Sequence, residues 1–295
     1  MKRSNLFFVF FALVLFSCEK VIEYKGQGGT PRLVLNAIME NDSAFVVRLE
    51  RTVFFLSPTN TNRFIATGAV ITLKDETNNI TYTNPIYLDS GRYQFPISVN
   101  PNIKYSIKVT HPDFPEISSV MTTQPKVTLL GADTSSFIKN QERWLRVKYK
   151  FNDPSGENFY IIKGKVLYSS PDWEGEYPIS FLSNDPSVDN SENQDLDGSI
   201  YPNNTILVYD TKFNGQYKEL ELTFYHPGDD QPAWEINNDL QFELYAMDKA
   251  TFLYNRSVIK NMFTDEFSEP VKVYTNISGG FGIFGTMSRS VIKLQ

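Results

Sequence analysis

Cysteine occurs once in the 295 residues, at position 18, and histidine twice, at positions 111 and 226. A single thiol excludes a disulfide framework, and two histidines without an HExxH or comparable spacing leave no set of zinc ligands. Both histidines precede proline, in His111-Pro112-Asp113 and His226-Pro227-Gly228, and read as turn residues that follow strand patterns. A Ser-His-Asp relay therefore has no recognisable base. Clusters of Lys and Arg are lacking as well: 28 basic residues stand against 34 acidic ones, a net charge of −6, and this excludes a nucleic-acid partner, which needs concentrated positive charge. The apolar run at residues 6–16 has eleven residues, too few for a bilayer-spanning helix of about 20. No cofactor is implied by any of this.

What is present begins with that run. Met1-Lys2-Arg3, the apolar stretch and the small residue Ser17 describe a secretory signal. Leu15-Phe16-Ser17-Cys18 resembles a bacterial lipobox, in which the cysteine is lipidated on its thiol and becomes the mature N-terminus. Phe16 is bulkier than the Ala or Ser usual there, and the competing reading is an ordinary signal with a cysteine nearby. Several acyl chains at about 0.8 kcal/mol per buried CH₂ would hold far better than a single myristoyl group. The expectation is a signal at residues 1–17, a lipidated tether at 18–30 carrying Cys18 at its head, and an anchor in outer-membrane lipid. Loss of Lys2 and Arg3 with the signal moves the net charge from −6 to −8.

From Arg32 the apolar period is two. Phe45, Val47 and Leu49 alternate with polar or exposed neighbours, as do Ala69, Ile71 and Leu73, and Tyr105, Ile107 and Val109. Turn chemistry separates them at 75–79, Asp89-Ser90-Gly91 and Asn100-Pro101-Asn102. This spacing predicts an immunoglobulin-like antiparallel sandwich over residues 31–125. Pro125 ends the pattern, and a second β-rich domain is expected at 126–295. Its best strand has Leu145, Val147, Tyr149 and Phe151 facing one way, and others are expected at 159–168, 206–209, 220–225, 240–246 and 271–274. One helix is expected near 248–263, capped by Asp248, with Thr251, Tyr254, Val258 and Met262 as its buried stripe. With 23 Phe and 16 Tyr, packing can supply the stability that disulfides do not. The fold class is mainly β.

The run Asn276-Ile277-Ser278-Gly279-Gly280-Phe281-Gly282-Ile283-Phe284-Gly285, with the lipobox, Cys18-Glu19-Lys20 and Pro31-Arg32-Leu33-Val34-Leu35-Asn36-Ala37, resembles the DUF4249 family of Bacteroidetes lipoproteins. The resemblance implies a place beside TonB-dependent outer-membrane receptors and no catalytic residues. Read for itself, the glycine run is not a phosphate-cradling loop, because no helix follows it within the ten remaining residues. A tight bulged connection to a last strand at 291–294, with Phe281, Ile283 and Phe284 in the core, is expected instead.

The polar segment 184–198 includes Asp195, Asp197 and Gly198, a spacing that oxygen-ligand loops use, but position twelve from Asp195 is Ile206 rather than Glu, and a solvated loop is the reading. That loop and the segment 168–177, through Trp173, Tyr177, Asp195 and Asp197, are the candidate partner contacts. Trp144 and Trp234 are assigned to the core or its edge. Three functions remain open: a non-enzymatic lipoprotein accessory to a TonB-dependent receptor, a lipoprotein binding glycan or peptide on an aromatic-lined face, and an exported hydrolase. The last needs a carboxylate pair whose separation a sequence hides.

Overall fold

Alternation builds the longer strands of the first sandwich. β1 (Leu33–Glu40) buries Leu33, Leu35, Ala37 and Met39 and leaves the residues between them half-buried. β2 (Phe45–Arg51), β3 (Val70–Asp75) and β7 (Lys104–His111) bury the apolar residues that the period-two pattern selects. The computed structural model describes residues 29–41, 43–54, 64–170, 173–191, 194, 198–225, 237–262 and 271–294. β4 (Ile80–Tyr82), β5 (Ile86–Tyr87), β6 (Arg92–Phe95) and β8 (Phe114–Thr122) complete the set. Strands pair as β1-β2-β6-β5 and as β4-β3-β7-β8. Lettered in chain order, that is A-B-E-D against C′-C-F-G, the immunoglobulin arrangement. The turns work as their residues dictate: Asn79, Ser90 and Asn102 all have positive φ, at 56°, 44° and 60°.

The second half supplies β9 (Leu129–Lys139), β10 (Glu142–Asn152), β11 (Phe159–Ser170), β12 (Trp173–Pro178), β13 (Ile206–Tyr209), β14 (Tyr217–Tyr225), β15 (Asn237–Met247), α1 (Lys249–Met262) and β16 (Phe281–Leu294). The sheet β14-β10-β9 covers β11, β13 and β15, with Tyr149, Phe151, Phe181, Phe224 and Phe242 fully buried between them. Their rings meet edge to face, as at Tyr149–Phe242 (5.5 Å) and Phe181–Phe224 (5.5 Å).

β16 joins the halves. Residues 281–287 pair in parallel with β1, and residues 287–294 pair antiparallel with β15. One nine-stranded sheet therefore runs through both sandwiches, and Pro31–Gln295 forms one compact unit. The chain does not divide cleanly at Pro125: the core of the first sandwich takes in Ile277 and Phe284, and one sheet crosses the boundary. The glycine run is also corrected. Gly282 and Gly285 lie inside β16 rather than in a connection before it, Ile283 and Phe284 are fully buried, and Phe281 is exposed. Each glycine makes room for a neighbour. A Cβ on Gly285 would stand 2.0 Å from Thr251 Oγ1 and 2.8 Å from Asp248 Oδ1, so the strand passes directly under the cap of α1.

Residues 271–274, expected as a strand, have no regular structure. Asn276 explains the geometry nearby: its side-chain amide donates to Phe284 O (2.7 Å) and accepts from Phe284 N (2.9 Å), doing what a neighbouring strand would do. The helix is present, and its covered face keeps Thr251, Tyr254 and Val258 of the expected stripe but centres on Phe252. Thr251 and Phe252 are buried, Ile259 packs partly beside Phe252, and Met262 is exposed. Phe252 wins because it stacks among Phe159 (4.9 Å) and Tyr209 (4.9 Å) on the outer face of the sheet.

Asp248 caps α1 as its residue type predicts. Its Oδ1 accepts from Thr251 N (3.3 Å), Thr251 Oγ1 and Thr286 N (3.0 Å). Burial pushes its carboxyl above the ordinary value, against the pull of those hydrogen bonds. Asp248→Ala should lower stability by about 1–2 kcal/mol in a urea melt, and Asp248→Asn should restore most of that. Equal losses for the two variants would mean the cap is not the source.

Candidate functional site

Because β10 turns Val147, Tyr149 and Phe151 into the core, Trp144, Arg146, Lys148 and Lys150 point outward. Register then builds a surface that no single strand contains. Phe137 of β9 and Tyr225 of β14 both lie directly opposite Trp144. The three aromatics form one row across the sheet, with Trp144 and Tyr225 edge to face at 6.0 Å. Tyr225 is exposed, and Phe137 and Trp144 are half-buried. Cations flank the row: Lys139 Nζ stands 4.7 Å from the Trp144 ring centre, and the Arg146 guanidinium lies 5.1 Å over Phe137. Arg146 pairs with Glu221 at 2.8 Å, and Lys150 pairs with Asp133.

Beside the row the sheet gains an extra edge. Leu182 and Thr223 exchange backbone hydrogen bonds of 2.8 and 2.9 Å, which stands residues 182–185 along β14. A cleft of about 440 Å³ opens there, lined by Lys139, Ser183, Asn184, Asp185, Gly198, Glu221 and Thr223, with Leu182 and Ile200 as its apolar part. Asp185 holds the wall in place. Burial pushes its carboxyl up, but hydrogen bonds from Lys218 Nζ (2.7 Å) and from Ser187 outweigh this and leave it below the ordinary value. Further along, Asp189 pairs with Arg256 at 3.0 Å and accepts from Tyr209 (3.2 Å).

A second cleft, about 370 Å³, lies on the outer face of the large sheet around Lys163, Lys165, Glu176 and Tyr245. Its floor is Glu243, only 4% exposed, which accepts from Arg289 (2.6 Å), Tyr245 (2.6 Å) and Gln241 (2.5 Å). Those three donors, with Lys165 Nζ at 3.8 Å, compensate the buried charge from within the cluster.

The residues expected to touch a partner are divided. Trp173 and Tyr177 lie on β12, which ends the strand order of the large sheet, opposite Ser170 and Val166; Tyr177 is 52% exposed. Asp195, Asp197, Cys18, His226 and Trp234 lie outside the described residues. His111, expected in a turn, is the last residue of β7, and the turn follows it at Pro112-Asp113; its Nδ1 accepts from Asp113 N (3.0 Å), which leaves Nε2–H to donate to Thr67 O at 2.7 Å. Among the described residues no group of three or more His, Cys, Asp or Glu is placed to hold a metal, and no helix is long and apolar enough to cross a membrane. The aromatic row escaped sequence reasoning because its members are 7 and 81 positions from Trp144. A short hairpin at Asn140-Gln141 was the one signal that pointed to the pairing of Phe137 with Trp144.

The fold is that of a mainly β protein of two sandwiches sharing one sheet. The chain matches the family described as "Domain of unknown function (DUF4249)" over residues 19–293 and belongs to it. No curated protein matches. Among solved structures, chicken CNTN1 FN1-FN3 domains align at 11% identity with a TM-score of 0.29, over 76% of this chain and 63% of that one, so the chain spans less than two thirds of that structure. The immunoglobulin arrangement of the first sandwich rests on its strand order and not on that alignment.

Proposed function

We propose that this chain is a non-enzymatic outer-membrane lipoprotein, of the Bacteroidetes type its sequence resembles, that serves a TonB-dependent transporter. The observation that carries the reading is the polarity of the body. The chain enters at Leu33, level with the start of β16, since Val34 pairs with Phe281. The aromatic row lies at the other end of that strand. Phe151 packs on Tyr160 at 4.9 Å and Tyr149 donates to Lys163 O at 2.9 Å, so β10 climbs toward the end of β16 as its numbering falls to Trp144. Fourteen strand residues span about 46 Å at roughly 3.3 Å each. The row and cleft thus lie at the end of the body opposite the one where the chain enters, which leaves them clear of that entry point. Confinement to the transporter's own membrane raises the effective concentration, so a weak contact is enough.

A second reading, direct capture of a glycan or peptide without a transporter, is favoured by the cleft beside the aromatic row. Cys18→Ser should abolish palmitate labelling and release the protein from the membrane fraction. Crosslinking followed by purification in mild detergent should enrich one TonB-dependent receptor over other outer-membrane proteins. Normal fractionation of the variant would sink the anchor, and recovery of no receptor would leave capture alone.

A further inference from the structure

We infer that the aromatic row and the 440 Å³ cleft are one binding site for a neutral oligosaccharide. The inference deepens the capture reading and rests on it. The two features are continuous: Lys139 lines the cleft and lies over Trp144, and Thr223 lines the cleft two residues from Tyr225 on the same face of β14.

Charge selects against ionic ligands. Arg146 is paired with Glu221, Lys150 with Asp133, and Asp185 with Lys218, so opposite charges compensate one another across the site. Of the cations that line the cleft or flank the row only Lys139 stands outside these pairs, so an anionic polymer would have to break one of them to gain a second cation. Polarity selects against lipid and apolar peptide, because Ser183, Asn184, Asp185, Glu221 and Thr223 dominate the cleft. Backbone addition of a peptide strand is blocked at this edge of β14, where Leu182 already takes both hydrogen bonds of Thr223. A sugar ring has the matching chemistry. Its C–H face covers an indole or phenol ring, and its rim of hydroxyls both donates and accepts, as Ser, Asn and Thr side chains require. The cleft volume falls in the usual range for small-ligand sites, and the open row beside it extends the surface beyond one ring.

The test uses the full chain in detergent and calorimetric titration with neutral hexasaccharides: α-1,4-glucan, β-1,4-glucan, β-1,4-xylan and α-mannan. At least one should bind, and Trp144→Ala and Tyr225→Ala should each weaken it tenfold or more with the melting temperature unchanged. Tyr225 is 44% exposed, so its variant decides the matter if Trp144→Ala proves unstable. Polygalacturonate and a tryptic peptide mixture should not compete. The inference is overturned by no binding across the panel, by binding indifferent to both variants, or by peptide displacing the sugar. Sugar binding without a recovered receptor keeps this site and removes only the transporter reading.

Discussion

Gly282→Ala will lose more than about 3 kcal/mol in a urea melt, and Gly282→Val will not accumulate as folded protein. Gly282 has φ +105°, and a Cβ built there would stand 2.0 Å from Leu35 O and 2.7 Å from Leu35 C. The conformation alone disfavours an L side chain by about 1–3 kcal/mol. The collision adds to it, because the obstructing atoms are backbone and cannot rotate away. Leu35 is also the residue that pairs with Gly282 in the parallel ladder. Relief therefore requires β1 and β16 to part, and β16 is the strand that both sandwiches share. Gly285→Ala should be milder, since the nearest atom, Thr251 Oγ1, belongs to a side chain. Gly131 is the control: its added Cβ would meet Lys150 Cδ at 3.5 Å, an ordinary contact, and its melt should not move. A Gly282→Ala melt that matches the Gly131 control would overturn the assignment of the glycine run to packing.

Glu243→Ala should lose about 3 kcal/mol at pH 7, the lower end of what removing one partner of a buried ion pair does. The lower end applies because Arg289, 38% exposed, can turn to water when its partner goes. Burial pushes the Glu243 carboxyl up, yet hydrogen bonds from Tyr245, Arg289 and Gln241 prevail and hold it below the ordinary value of 4.5. The folded state therefore binds the proton more weakly than the unfolded state. The contribution is fully present above the unfolded value and is lost as pH falls through the folded one. Glu243→Gln should flatten that acid limb. Urea melts at pH 7, 4 and 3 measure it, and parallel stability curves for wild type and Glu243→Gln would show that the carboxylate is not the titrating group.

Much of this fold was legible because its cause is local. A strand buries every second residue whatever its partner, so Phe45, Val47 and Leu49, or Val147, Tyr149 and Phe151, declare their buried face in a few positions of chain. Asn79, Ser90 and Asn102 mark turns by their own tolerance of positive φ, and Asp248 caps the helix with an oxygen that reaches one turn ahead. Short turns account for the hairpins β3–β4 and β7–β8, whereas the pairings β2–β6 and β3–β7 join strands distant in the chain.

The features that define the candidate site depend on partners distant in the chain. Alternation tells which way Trp144 points, and only register sets Phe137 and Tyr225 beside it. The expected helix stripe leaves out Phe252 because a half-buried helix offers two adjacent apolar faces, and Phe252 is chosen by Phe159 and Tyr209 on the sheet below. Most of the strands, the turns of the first sandwich, the helix cap and the family resemblance are legible in the chain. Tertiary structure alone decided that β1 and β16 lie in parallel, that one sheet serves two cores, and that aromatics from three strands meet beside a polar cleft. The reason is physical: the free energy of a strand's own pattern is local, whereas that of its pairing belongs to residues as far apart as Leu35 and Gly282.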